Sequence, residues 1–170
     1  MPTTYTLISS NVLSSIAASV TFSSIPATYT DLVVRFSTRA DTSNQINLTV
    51  NATSGGTAYS WTRLRGNGST TASGRSSNDS SFGLPGASVE TAATANTFSS
   101  GEVYIPSYTA SQSKPMGSFN TQEDNSTTSF INTNAGLYSS NTAISEIKLA
   151  AASGNFVSGS SFYLYGISNA

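Results

Sequence analysis

The chain has no cysteine and no histidine, and only 9% of its residues are charged. Without cysteine there is no disulfide framework and no thiolate metal site. Without histidine the commonest general base and the commonest zinc ligand are gone, and a Ser–His–Asp triad cannot be built. Charge is scarce against the roughly 25% of an ordinary soluble domain, and the net charge is −1. That leaves no clustered Lys and Arg for a nucleic-acid backbone and no basic stripe for an anionic membrane. No apolar run approaches the 18 or so residues that span a bilayer. The opening MPTTYTLISSN has neither a basic n-region nor a long apolar h-region, so no classical secretory signal is expected.

What replaces charge is serine and threonine, about a third of the 170 residues. Apolar residues make up 37% and aromatics 10%, enough for a real core. The length points to one domain, residues 1–170.

The dominant period is two. Ala18–Ser23, Leu32–Phe36 and Ile46–Val50 alternate as half-buried strands do. Further strands are expected at Tyr5–Ser9, Ala58–Leu64, Ala87–Thr91, Phe98–Ile105, Met116–Glu123, Ser129–Asn132, Ile144–Leu149 and Phe162–Ile167. Turn clusters separate them at Asn51–Gly56, Gly66–Gly68, Pro85–Gly86 and Ser153–Asn155. A short helix over Ala87–Ala95 competes with the strand there, weakened by Val and Thr. The pattern predicts an all-β antiparallel sandwich, jelly-roll-like, with little or no helix. One segment breaks the rhythm: residues 67–85 are read as a long polar loop.

Two stretches stand out as candidate working surfaces. The last strand, Phe162-Tyr163-Leu164-Tyr165-Gly166-Ile167, is apolar on both faces. A two-layer sandwich covers only one, so the other needs a loop of the same chain or a neighbouring subunit. Phe162, Tyr163, Tyr165 and Ile167 are therefore interface candidates. Tyr59, Trp61 and Arg63 share one side of another strand, and they fit a core, a subunit interface or a stacking platform for a sugar. Arg outnumbers Lys five to two and there are eight Tyr, a composition suited to interfaces.

No catalytic constellation emerges, and no cofactor or metal site is expected. There is no GxSxG elbow. Asp41, Asp79, Glu90, Glu102, Glu123 and Asp124 could supply a glycosidase pair only through the fold, and no motif supports one. The oxygen-rich Gln122–Ser126 lacks EF-hand spacing and reads as a polar turn.

TYTLISSNVL, SVTFSSIPATYTDLVVRFSTR, YSWTRLRGNGS, EVYIPSY and SGSSFYLYGI, taken as a set, resemble small virion-associated proteins of tailed phages, especially those of cyanobacterial hosts. The resemblance covers most of the chain and is least over Ser69–Leu84. It implies a capsid cement or decoration protein on the virion surface: jelly-roll-like, a homotrimer, partnered by the major capsid protein, with no catalytic residues. Some similar sequences look like tail-fibre or adhesin modules, which implies host glycans as the alternative partner. A polysaccharide depolymerase working through Glu102 or Glu123 is the least supported reading.

Overall fold

The computed structural model describes residues 4–53, 56–125 and 129–168. Among these residues fourteen strands run in chain order: β1 Tyr5–Val12, β2 Ser19–Phe22, β3 Asp31–Ser37, β4 Arg39–Ala40, β5 Gln45–Val50, β6 Tyr59–Gly66, β7 Thr71–Asp79, β8 Phe82–Pro85, β9 Val89–Glu90, β10 Ser100–Ile105, β11 Lys114–Gln122, β12 Phe130–Tyr138, β13 Ile147–Ala151 and β14 Ser161–Ile167. No helix occurs among the described residues. The expected all-β antiparallel sandwich is what the chain forms.

The two layers are unequal. One is an eight-stranded antiparallel sheet, ordered β1-β14-β3-β10-β11-β12-β6-β7. The other has four strands, ordered β2-β13-β5-β8. A short parallel pair, β4 with β9, closes one end. The hairpins β6–β7 and β11–β12 both join the far end of the large sheet, where they form a wing that outreaches the small one.

The core fills the space where the two sheets overlap. Leu32, Val34 and Phe36 of β3, Val103 and Ile105 of β10, and Phe162 and Leu164 of β14 meet Val20 and Phe22 of β2, Ile46, Leu48 and Val50 of β5, and Ile147 and Leu149 of β13. These are the alternate positions that the period-two runs mark. Under the wing the cover is thinner. Phe82 of β8 lies on Gly136 so closely that a Cβ there would stand 2.4 Å from the ring, so only glycine lets β8 reach β12. Past β8 the chain turns as a strap, Pro85–Ser88. Asn120 Nδ2 donates to Pro85 O at 2.8 Å. Gly86 has φ +65°, and a Cβ on it would sit 2.5 Å from Asn132 Nδ2.

Two expectations fail. Residues 67–85 are not one long loop, because most of them pair as β7 and β8. β7 is the outermost strand of the wing, bonded on one side only to β6. Its side chains are nearly all exposed, so Ser, Thr, Ala and Gly suffice and no apolar alternation marks it. The short helix over Ala87–Ala95 is also absent. Val89–Glu90 pair as β9 and turns follow.

Those turns are organised by a buried arginine. Arg39, 7% exposed, donates through Nη1 to Thr94 O (2.9 Å) and Thr97 O (3.1 Å), and through Nη2 to Thr91 O and Ala93 O (3.1 Å each). Four carbonyls thus stand in for a counter-ion around the guanidinium. Arg39→Met is expected to keep the volume but free the 91–97 segment, costing about 2–4 kcal/mol at the usual strength of bonds to a charged group. Urea unfolding of the two proteins checks this, and a loss under 0.5 kcal/mol would contradict the clamp.

Candidate functional site

The outer face of the eight-stranded sheet, away from the small sheet, is the unusual surface of this molecule. Residues directly opposite across a ladder point to the same side. One row across the sheet reads Leu7, Tyr165, Val33, Tyr104, Gly117, Ala135, Thr62 and Arg75. The next reads Tyr163, Arg35, Glu102, Phe119, Thr133, Leu64 and Ser73. Among the described residues no other strand lies over it.

Nine large apolar residues are exposed among the described ones. Eight of them, Tyr5, Leu7, Val12, Leu64, Tyr104, Phe119, Ile131 and Leu137, lie on this face, Val12 at its β1 edge opposite Ser161. Ile16 lies outside the strands. Phe119, Leu64 and Ile131 line an apolar hollow of about 220 Å³ with Thr133. Phe119 also borders a shallow groove of about 500 Å³ that runs past Glu102 and Arg35 to Tyr163 and Tyr165. The apolar patch is therefore continuous from β14 to β6. At the β1–β14 end, Tyr5 meets Tyr165 edge-on at 6.4 Å.

Charge on this face is locally neutralised. Arg35 Nε donates to Glu102 Oε2 at 2.7 Å, with both side chains well exposed. Such a pair contributes at most about 1 kcal/mol. Asp31 is buried beneath the surface. It accepts the Tyr104 hydroxyl (2.6 Å) and the Ser107 N–H (2.7 Å). The bond to Asp31, with burial and the carboxylate charge, pushes Tyr104 up to about 12.

The residues singled out from sequence divide between two faces. Tyr163, Tyr165 and Ile167 are on the outer face. Ile167 is buried and the two tyrosines are half-buried. Phe162 points the other way, fully buried against Phe156 at 5.0 Å. Tyr59 is also a core residue, 1% exposed. Its hydroxyl accepts the Val50 N–H at 2.8 Å, and burial pushes its phenol up to about 12. Phe162 and Tyr59 are thus not free to meet a partner. Trp61 and Arg63 lie on the inner face of the wing, with the Arg63 guanidinium 4.6 Å above the indole. One side of the ring is already occupied, so Trp61 is no open stacking platform.

Sequence reading missed Phe119, Ile131, Leu137 and Leu64. Alternation in β11 and β12 was visible, but its sign is reversed. Ser118, Asn120, Gln122, Asn132 and Asn134 are buried, while Phe119, Ile131 and Leu137 face out. The amide face also carries Met116, Phe130 and Tyr138, so alternation alone does not mark which side is covered.

The acids considered for chemistry are dispersed. Glu102 pairs with Arg35. Asp41 accepts the Asn155 N–H at 2.7 Å, and this bond first, then Asn155 Nδ2 and Thr42, holds its carboxyl below the usual range. Gln122 Nε2 donates to Asp124 Oδ2 at 3.2 Å, and Asn125 N–H donates to Glu123 Oε1 at 2.9 Å, a locally bonded turn. Ser126 lies outside the described residues. No group of three or more acidic side chains able to hold a metal occurs among the described residues. Comparison with known proteins returns no match: no family model, no curated protein and no solved structure is similar to this chain.

Because the folded pKa of Tyr104 lies above its free value of 10.0, its bond to Asp31 supports the fold at pH below 10 and is lost as pH rises through about 12. Asp31→Asn is expected to bring Tyr104 back toward 10. Tyrosinate absorbance, with Tyr104→Phe as the subtraction, reads this directly. An unshifted titration in Asp31→Asn would contradict the assignment.

Proposed function

We propose that this chain is a non-enzymatic structural protein of a tailed-phage virion. In this reading it is a capsid decoration protein that assembles as a trimer on the head, partners the major capsid protein and stabilises the shell. The observation that carries the reading is the uncovered apolar face of the large sheet. Taking roughly 200 Å² for a whole aromatic side chain and somewhat less for an aliphatic one, the exposed parts of its large residues, Val12 at the edge left out, come to about 600 Å². That is at the top of the range for the largest patch on an ordinary monomer, and close to the roughly 800 Å² each partner contributes to a standard interface. At about 25 cal/mol per Å² its burial is worth about 15 kcal/mol before the cost of association, itself about 4–15 kcal/mol.

A second copy of the chain suits this face. Its central charges, Arg35 and Glu102, are paired and Arg75 stands apart on the outermost strand, so like faces repel little. Tyrosine and arginine mark its core and lysine is absent from its central rows. Cyclic symmetry would close the patch without leaving an open end.

The strand order supports a jelly roll. Setting aside β4, β9 and the two wing hairpins, eight strands remain. Ranked by chain position, they are ordered 1-8-3-6 in one sheet and 2-7-4-5 in the other. That is the nesting of two Greek keys wound together. The wing hairpins are then insertions that widen one sheet and create the surface in question.

A tail-fibre or adhesin module that binds host glycans is the second reading. The observation in its favour is the groove in which Arg35 and Glu102 lie between Tyr163, Tyr165 and Phe119. Paired charges framed by rings also suit sugar hydroxyls.

Sedimentation of the purified chain is expected to give a trimer, and Leu64→Asp with Phe119→Asp a folded monomer. Copy number in purified virions separates head from tail: hundreds, in simple ratio to the shell subunit, are expected. A few dozen at most would favour the adhesin, and none would overturn the virion reading.

A further inference from the structure

A second site lies on the opposite side of the wing. Where the small sheet ends at β8, the inner face of β6 and β7 runs on, leaving a cleft of about 170 Å³ lined by Trp61, Arg63, Asp79, Ser80, Ser81 and Gln45. Two opposite charges border this cleft without meeting. The Arg63 guanidinium lies on the indole of Trp61 and has no carboxylate within ion-pair reach among the described residues. Its neighbour Arg65, stacked on Phe130, adds positive charge. Asp79 accepts the Ser76 hydroxyl through Oδ1 at 3.1 Å, while its buried Oδ2 finds no donor in the protein.

This arrangement is costly as it stands. Oδ2 is sealed from solvent without a donor, a standing cost, so a ligand hydroxyl meets Asp79 through Oδ1, which accepts one bond already and has a lone pair to spare. The ring 4.6 Å beneath the guanidinium restrains it, so less side-chain entropy remains to be lost on binding. The pair also selects the ligand. A multiply charged anion would be drawn to Arg63 but repelled by Asp79. A cation would meet the reverse. A molecule with one acidic group and several hydroxyls satisfies both, and Ser80 and Ser81 add hydroxyl partners.

We propose that this cleft binds an acidic sugar of the uronate type, its carboxylate on the Arg63 fork and its ring hydroxyls donating to Asp79. The recognition is by charge and hydrogen bonds, with the arginine and not the sugar lying on the tryptophan. The site is separate from the outer face and goes beyond the assembly reading. Its success or failure leaves the oligomeric state untouched.

Trp61 is the protein's one tryptophan, so fluorescence excited selectively at tryptophan reports on the surroundings of this one ring, with the Arg63 and Asp79 variants assigning the response to the cleft. Titration of the full chain with glucuronate is expected to give a saturable change in emission. Glucose and inorganic sulfate should each bind about tenfold more weakly or worse, since each lacks one half of the match. Arg63→Gln and Asp79→Asn should each weaken glucuronate by about tenfold, whereas Arg75→Gln, on the outer face, should not. No saturable response to glucuronate overturns the proposal. So does sulfate or glucose binding as tightly. The ligand series on the unmodified protein decides the matter even where a variant fails to fold.

Discussion

Everything unusual in this molecule follows from a mismatch of area: a sheet of eight strands faces a sheet of four. A sheet is stable when at least one face is dry. Over β14, β3 and β10 the small sheet supplies that cover, and the chain there reads as ordinary alternating strand. Over the wing only β8 and the strap 85–88 are left to do it. The strap brings the Pro85 carbonyl, which Asn120 Nδ2 meets, and only the small Ala87 side chain to the core. Ser118, Asn120, Gln122, Asn132 and Asn134 point inward there, and the Asn132 amide and one oxygen each of Asn120, Gln122 and Asn134 find no partner in the protein. Phe119, Ile131 and Leu137 are left on the outside. The exposed patch and the polar interior are two consequences of one geometric shortage.

The strands buried by both neighbours and core were legible because burial imposes a pattern. β3, β5 and β14 carry Val, Ile, Leu and Phe at every second position, and each lies within a residue or so of its expected bounds. β7 was illegible for the opposite reason. An edge strand with both faces wet needs only backbone pairing with β6, and backbone pairing leaves no mark on side-chain choice. The long β12 was seen only at its first few residues, because Thr133-Asn134-Ala135-Gly136 has no apolar member large enough to show the period. For the surface, Tyr163, Tyr165 and Ile167 could be read as an outer face because the last strand is apolar on both sides. Phe119 and Ile131 could not, since alternation states that two faces differ and is silent on which one is covered.

The placement of the aromatic residues separates roles that sequence had merged. Tyr59, Trp61 and Arg63 stand on one side of one strand, yet they serve different ends. Tyr59 is sealed into the core and fixes β5 through the Val50 amide. Trp61 is a half-buried base on which Arg63 rests at the edge of the cover. The boundary of the small sheet falls between them, and that boundary makes the cleft. The outer face, with its paired charges and broad apolar area, suits contact with protein. The cleft, small and carrying unpaired opposite charges, suits a small polar group. In the proposed role of a decoration protein on a particle that meets cell surfaces, both surfaces would have a use.

The central claim is that the outer face of the large sheet is covered when the protein is at work. Carbene footprinting of the assembled protein, read residue by residue by mass spectrometry, tests it most directly. Ile16, exposed and outside the strands, serves as the internal reference. Strong protection of Leu64, Phe119 and Ile131 relative to it is the predicted result. Labelling of all four in proportion to their exposure would show the face bare and contradict the account.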